Sequence, residues 1–272
     1  MTRLLNIGCG RAFHPAWVNL DTEAVAPEVI AWDIRRGLPF PDGHFVAAYG
    51  SHLLEHLEPP AADRLLRELH RVLTPGGLLR LAVPDLEAIV KLYLDSLDRA
   101  AAGDASAEWR YDWAMLELID QTVRTRSGGE MQVFLDGATT DEQKAFIEAR
   151  VAGEASPAPG RSRRRFLQRC RAAITKMRQV AAGAAAFLFL GAEGRAALHE
   201  GLFRRSGEVH RWMYDRYSLG RAVQRAGFVG ARACGAGESA IPGFAGYALE
   251  IRAGRERKPD SLYLEARKPG SR

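Results

Sequence analysis

Cysteine is scarce in this chain of 272 residues: only Cys9, Cys170 and Cys234 occur, an odd number with no metal-ligand spacing. That count argues against a disulfide framework and against a structural zinc site, and the three read as free thiols. Long apolar runs are missing as well. The longest, VAAGAAAFLFLGA at 180–192, falls short of the roughly 20 residues a spanning helix needs, so no membrane span is expected. The first residues, MTRLLNIGCG, lack the basic start, apolar core and small-residue cleavage site of a secretory signal, and a cytoplasmic protein is expected. One stretch lacks acid altogether: RSRRRFLQRCRAAITKMR at 161–178 carries eight Arg or Lys and no Asp or Glu. Without it 30 basic residues face 33 acidic ones, so a single segment gives the chain its net charge of +5.

What is present is the composition of a folded protein, 47% apolar and 26% charged, which excludes disorder throughout. The length suits one large domain or one domain with a long insertion, and the pattern favours the second. Short apolar runs ending in turn residues predict strands at 3–7, 16–21, 29–34, 44–51 and 78–83. Between the last two, Leu65, Leu66, Leu69, Val72 and Leu73 share a helical face, and TPGG ends that helix. Strands alternating with short connections or helices predict a parallel sheet of the α/β class. From about residue 86 to 209 helical periodicity takes over, with a loop at SPAPGRS (156–162). A helix at 217–228 and strands near VGARAC and SLYLEARK then resume the first pattern. The expected organisation is a sheet domain built from 1–85 and 210–272, with 86–209 as a helical insertion or lid.

Strand, glycine turn and following acid first suggest a dinucleotide loop at NIGCGRAFHPAWVNLD. That fingerprint needs a third glycine where Phe13 stands, and its acid lies about 20 residues beyond the motif, whereas Asp21 follows Gly10 by only eleven. A nicotinamide cofactor is therefore disfavoured. Downstream, Asp21 closes the second strand, where a carboxylate can accept both hydroxyls of a ribose. Asp33 closes the third, where it can reach an adenine amino group. Taken singly, each acid reads equally well as a helix cap or turn residue.

LNIGCG, NLD, WDIRRGLPFPDGHFVAAYGSHLLEHL and RVLTPGGLLRLAVPDL together resemble the class I S-adenosylmethionine-dependent methyltransferases, more closely bacterial members associated with glycan or secondary-metabolite pathways. HRWMYDRYSL, AGF and KPDSLYLEARKP extend the resemblance to the C-terminal part, while residues 95–205 stay outside it. The resemblance implies a Rossmann-like seven-stranded sheet with an antiparallel last strand, and S-adenosylmethionine lying over Gly8, Cys9 and Gly10. It implies further that Asp21 holds the ribose, that Asp33 and Ile34 frame the adenine, and that Ser51 and His52 lie beside the methionine portion, with His56 close by. The family's first strand often ends in an acid; here that position is Asn6, which can accept a hydrogen bond but brings no charge. A cofactor with no pyrophosphate needs close backbone approach at the two glycines and not the third, so Phe13 fits this cofactor. Cys9 reads as a small packed residue, since nothing identifies a base for it.

Methyl transfer is an in-line displacement at an activated carbon, and positioning supplies most of its acceleration. A base is needed mainly for a hydroxyl acceptor. His210 is the expected base, with Asp215 orienting it, and His52 is a second candidate. Trp212, Tyr214 and Tyr247 are expected to line the acceptor pocket. His52 and His56 lie four residues apart and, with Glu55 between them, suggest a metal, but two histidines without a convergent carboxylate set make a poor site, and no metal is expected.

On a helical wheel Phe166, Leu167, Cys170, Ile174, Met177 and Ala181 cover about one third of the circumference, so 161–181 predicts a basic amphipathic helix. A solvated lid helix, an anionic membrane surface and a nucleic acid compete for it. Phe166 is its only aromatic residue, which ranks nucleic acid last. The function expected is O-methylation of a small molecule, sugar or glycan intermediate by an enzyme that is cytoplasmic or peripheral to the membrane. Its rivals are a nitrogen, carbon or RNA acceptor, non-methylating chemistry, and a non-catalytic binding protein on the same fold.

Overall fold

The computed structural model describes residues 3–150 and 164–270, side chains included except over 164–176. Seven strands form one sheet: β1 (Leu4–Ile7), β2 (Trp17–Asp21), β3 (Val29–Ala31), β4 (Phe45–Ser51), β5 (Leu73–Pro84), β6 (Val229–Cys234) and β9 (Ser261–Arg267). Two further short strands, β7 (Ile251–Arg252) and β8 (Arg255–Glu256), pair as a separate ribbon. The sheet order is β3-β2-β1-β4-β5-β9-β6, parallel except for β9, which runs antiparallel to both neighbours. The predicted seven-stranded Rossmann-like sheet with an antiparallel last strand is thus the fold. Chain order reverses at β1, flanked by β2 on one side and β4 on the other, and ligands of open α/β sheets collect at the carboxyl ends of strands beside such a switch point.

The central strands are buried on both faces, which is why LLNI and LLRLAV are apolar at every position but one and do not alternate, Asn6 and Arg80 being the buried exceptions. One face is covered by α1 (Pro59–Val72) and α7 (Arg216–Arg225). Leu65, Leu66, Leu69 and Val72 point from α1 into this core, each side chain contributing roughly 1.5–3 kcal/mol of burial. The other face carries the irregular segment 240–249, whose Ile241, Phe244 and Leu249 pack on Leu4, Trp17, Ala47, Tyr49 and Leu78. Arg80, fully buried on β5, pins that segment. It ion-pairs with Glu250 and with Glu265 (2.9 Å), donates to the carbonyls of Gly235, Ala236 and Glu238, and stacks on Phe244.

Strand boundaries shift slightly from expectation: β3 stops at Ala31, and β5 starts at Leu73, directly after α1, so TPGG lies within the strand. Among the described residues, every element between Leu86 and Arg204 is a helix: α2 (Leu86–Ala101), α3 (Ala105–Val123), α4 (Gly129–Gly137), α5 (Asp141–Arg150) and α6 (Arg164–Arg204). Trp113, Met131 and Ile147 give α3, α4 and α5 a small core of their own. Entry and exit of this helical stretch lie side by side, since Leu86 N donates to Tyr214 O at 3.0 Å.

The expected loop at 156–162 lies outside the described residues, as do the side chains that form most of the basic wheel. Met177–Arg204 is long and apolar enough, by length and composition, to cross a membrane, with a mean hydropathy of 1.3. Gly191 breaks it, with φ 69° and ψ −163°. A Cβ on Gly183 would meet His199 at 3.4 Å, a contact sixteen residues apart in sequence that only a fold-back can make. The segment is a helical hairpin, and its tip, Phe187 to Leu190, is exposed at 54%, 78%, 80% and 69%.

Candidate active site

The glycine loop leaves β1 with positive φ at Gly8 (59°) and Gly10 (50°). Glycine suits position 8 by its φ, and a Cβ there would also press on the Leu53 side chain at 2.9 Å. No α-helix joins β1 to β2; the nine residues between them form turns. Asp21, at the end of β2, closes back on the loop by accepting from Gly10 N at 2.8 Å, and its other oxygen accepts from Glu23 N and Thr22 Oγ1, each at 3.2 Å. Behind the loop Asn6 donates to Ala12 O (2.9 Å) and to Asn19 Oδ1 (3.0 Å), and Asn19 donates in turn to the carbonyls of His14 (3.0 Å) and Trp17 (2.8 Å). Both amides are buried. The uncharged residue at position 6 is therefore half of an Asn–Asn pair that staples the loop, a role an acid could not fill opposite Asn19 Oδ1.

Asn6, Gly8, Cys9, Gly10, Ser51 and His52 line one cleft of about 180 Å³, with Arg257 and Lys258 across from them. Six of the expected cofactor residues are thus brought together, and Asp21 is tied to them through Gly10. Asp33 and Ile34 sit apart. Asp33 caps a short 3-10 turn (Ile34–Arg36), and Arg35 takes its carboxylate through Nε (2.8 Å) and Nη2 (2.9 Å). This pairing holds the Asp33 pKa below the ordinary carboxylate range. Ile34 faces a neighbouring cleft of about 260 Å³ with Leu57 and Leu65. Cys9 is buried, and burial, reinforced by Asp21, pushes its thiol up to about 12, so it is inert packing.

The loop after β4 concentrates the site's titratable groups. His52 adopts φ 49°, a left-handed conformation costing of order 1–3 kcal/mol in a non-glycine residue, of the kind that clusters at functional sites. Its Nε2 lies 2.7 Å from Ser261 Oγ and its Nδ1 3.3 Å from Glu55 Oε1. Glu55, on the 3-10 turn Leu54–His56, has no exposed surface, and neither of its carboxylate oxygens has a hydrogen bond of good geometry. Burial raises its pKa, but His52 first, then the charges of His56 and His210, outweigh that and hold it at about 2. His56 Nε2 is 3.8 Å from Glu55 Oε1, and the His56 and His210 rings meet edge-on at 4.8 Å.

His210 is where expectation and structure part. It is 6% exposed, burial lowers its pKa to about 3, and the acid beside it is Glu55. Asp215 is the N-cap of α7, accepting from Tyr217 N (2.9 Å) and Ser218 N (2.8 Å) in a capping box; it is spent on the helix end and does not orient His210. Tyr214 also belongs to the core. Trp212 stays about half exposed, and Tyr247 packs edge-on against Trp17 at 5.4 Å. Glu55, set aside with His52 and His56 in SHLLEH as a poor metal site, is the centre of the cluster in the structure, with His210 as the added member. Sequence reasoning missed Asn19, which stands in the run NLD, and Arg257, Lys258 and Ser261, the last two standing in the run KPDS before the last strand.

Sheet order and switch-point loop give the chain the seven-stranded Rossmann-like fold with its cleft at the carboxyl ends of β1 and β4. Residues 15–81 match the family described as methyltransferase domain. A search of the curated proteins finds no match. Among solved structures, the chain is similar to a SAM-dependent methyltransferase from Archaeoglobus fulgidus (22% identity over 35% of this chain and 51% of that one, TM-score 0.29). It is also similar to an S-adenosylmethionine-dependent methyltransferase from Mesorhizobium loti (16%, 98% and 90%, TM-score 0.38) and to PigF with SAH (10%, 98% and 50%, TM-score 0.38). The chain spans about half the length of the first of these. The loop fits S-adenosylmethionine on its own terms: positive φ at Gly8 and Gly10 turns bare backbone along the cleft wall, and Asp21 is tied to that wall through the Gly10 amide.

Proposed function

We propose that the chain methylates a hydroxyl of a small molecule, sugar or glycan intermediate. The observation that supports it is His52, on the cleft wall, backed by the buried carboxylate of Glu55. S-adenosylmethionine, when bound, supplies a methyl carbon activated by its sulfonium. A hydroxyl acceptor must shed its proton as its oxygen attacks, whereas most amines need no such help. His52 Nε2 receives that proton, and Ser261 Oγ, 2.7 Å away, marks a position from which an oxygen can deliver it. The Glu55 carboxylate, 3.3 Å from Nδ1, stabilises the imidazolium by its charge. His210, with its pKa near 3, is too weak a base and serves as the wall behind the dyad. Residues 1–85 and 210–272 act as the catalytic core and 86–209 as its cap, a division supported by the bonds that dock the return segment: His210 N to Gln121 O (2.9 Å) and Arg211 N to Glu55 O (2.6 Å).

Incubation with methyl-labelled cofactor and a panel of hydroxyl and amine acceptors, read by mass spectrometry, tests the acceptor atom. Label on oxygen supports the reading, and label only on nitrogen or carbon overturns it. His52→Gln should lower kcat by about 10²–10⁴, and wild-type turnover would remove His52 from the chemistry.

The exposed hairpin tip favours a second reading, that the acceptor is presented at an anionic membrane. Phe187, Leu188, Phe189 and Leu190 form an apolar point, and in sequence they follow the basic stretch 161–178, a combination suited to interfacial insertion by a cytoplasmic, peripheral protein. Sedimentation with anionic and neutral vesicles tests it. Preference for anionic vesicles, lost in Phe189→Glu, supports it; equal pelleting in both removes it.

A further inference from the structure

We propose that Glu55, His56 and His210 hold one divalent transition-metal ion. The first argument is the carboxylate. Glu55 is wholly enclosed, and neither oxygen finds a donor of good geometry. An ionised carboxylate taken out of water is several kcal/mol out of balance unless a cation or a set of donors compensates it.

The second argument is how the imidazoles are turned. His56 Nδ1 lies 3.4 Å from the Val209 carbonyl, an orientation that commits this nitrogen to the N–H and leaves Nε2, with its lone pair, toward Glu55 Oε1. A metal-bound histidine shows the same arrangement, its other ring nitrogen donating to a backbone carbonyl. His210 Nδ1 is buried with no hydrogen-bond partner, a polar atom otherwise unexplained. One ligand atom from each of the three residues lies within 4.8 Å of the other two. With metal–ligand bonds of about 2.0–2.1 Å at tetrahedral angles, ligand atoms sit about 3.3 Å apart. The 3.8 Å separation of His56 Nε2 and Glu55 Oε1 is therefore about half an ångström from that spacing.

The third argument is rigidity. Arg211 N and Trp212 N both donate to the Glu55 carbonyl (2.6 and 3.1 Å), and His210 N donates to Gln121 O (2.9 Å), so backbone bonds tie the segment bearing His210 to the turn bearing the other two. Ligands held this way are positioned before the ion arrives. Two imidazoles and one carboxylate suit zinc, iron(II), cobalt(II) or manganese(II) better than calcium or magnesium, which prefer all-oxygen sets. Three protein ligands also leave at least one position for water or an acceptor oxygen. His52, whose Nδ1 faces the same carboxylate, stands between this site and the cofactor cleft.

The test reads metal content and needs no turnover, so it stands apart from the choice of acceptor. The full chain is stripped with chelator, and binding of Zn²⁺ and Mn²⁺ is followed by calorimetry, with elemental analysis after gel filtration. One ion per chain is expected, bound at least about tenfold more weakly in His56→Ala and His210→Ala, and unchanged in His199→Ala, an exposed histidine elsewhere. Glu55→Gln should abolish binding while preserving shape. Because that variant can fail to fold, the Co²⁺ form of the wild type is also recorded: absorption bands of a nitrogen–oxygen site of low coordination number are expected. Failure of the stripped wild type to take up any of the three ions, or wild-type affinity in the three ligand variants, would overturn the proposal.

Discussion

Replacing Asp21 with alanine separates a ribose-binding carboxylate from a turn residue. In the protein its Oδ2 accepts from Gly10 N at 2.8 Å, and Oδ1 accepts from Glu23 N and Thr22 Oγ1, both at 3.2 Å. That leaves one acceptor position, on Oδ2, for a ribose hydroxyl, and a second on Oδ1 once the Thr22 hydroxyl rotates away. Loss of charge-assisted hydrogen bonds costs roughly 1.5–3 kcal/mol, a loss of affinity from about tenfold to somewhat over a hundredfold. The same substitution frees the Gly10 amide, lowering the stability of the ligand-free chain by about 1 kcal/mol. Calorimetric titration with S-adenosylmethionine and its demethylated product measures the first effect, and thermal unfolding without ligand measures the second. Asp21→Asn, which keeps the shape and removes the charge, should fall between wild type and alanine. If Asp21→Ala loses the stability increment but binds both ligands as wild type does, the carboxylate is a turn residue only and the ribose assignment is refuted.

Arg80→Met strands Glu250 and Glu265 without their cation, and should destabilise the chain by about 3–5 kcal/mol, a drop in Tm of about 6–20 °C; an unchanged Tm in calorimetry would show that the carboxylates are compensated elsewhere. Asp215→Ala removes the cap of α7 at about 1 kcal/mol and should leave kcat unaltered in a steady-state assay, whereas a large fall in kcat would restore Asp215 to the catalytic groups. The Ser218 and Tyr217 amides hold the Asp215 pKa below its ordinary value of 3.8, so the cap's contribution is present above that pH and is lost on acidification below it. Urea midpoints of wild type and Asp215→Ala should therefore converge only at strongly acid pH. Cys9, with its thiol near 12, should resist iodoacetamide at pH 8 in the native chain and react once denatured; rapid native labelling would contradict its burial.

The local pattern by itself determined the sheet. Apolar runs of the length of a buried strand, glycines where the backbone must turn with positive φ, and an acid closing β2 are properties of neighbouring residues, and periodicity carries them directly. Folding decided everything that depends on residues distant in sequence. His210 and Asp215 are five residues apart and look like a base and its partner, yet the cap of α7 takes the acid and the packing of 209–212 against the turn at 54–56 delivers Glu55 to His210 instead. Asn6 looked like a lost charge until Asn19, on the adjacent strand, made it half of an amide pair. The apolar run at 180–192 is too short to span a membrane as sequence, and its exposure arises because Gly191 folds the helix back and leaves the tip with nothing to pack on. Burial and long-range contact create each of these features, and neither is encoded in the spacing of the residues concerned.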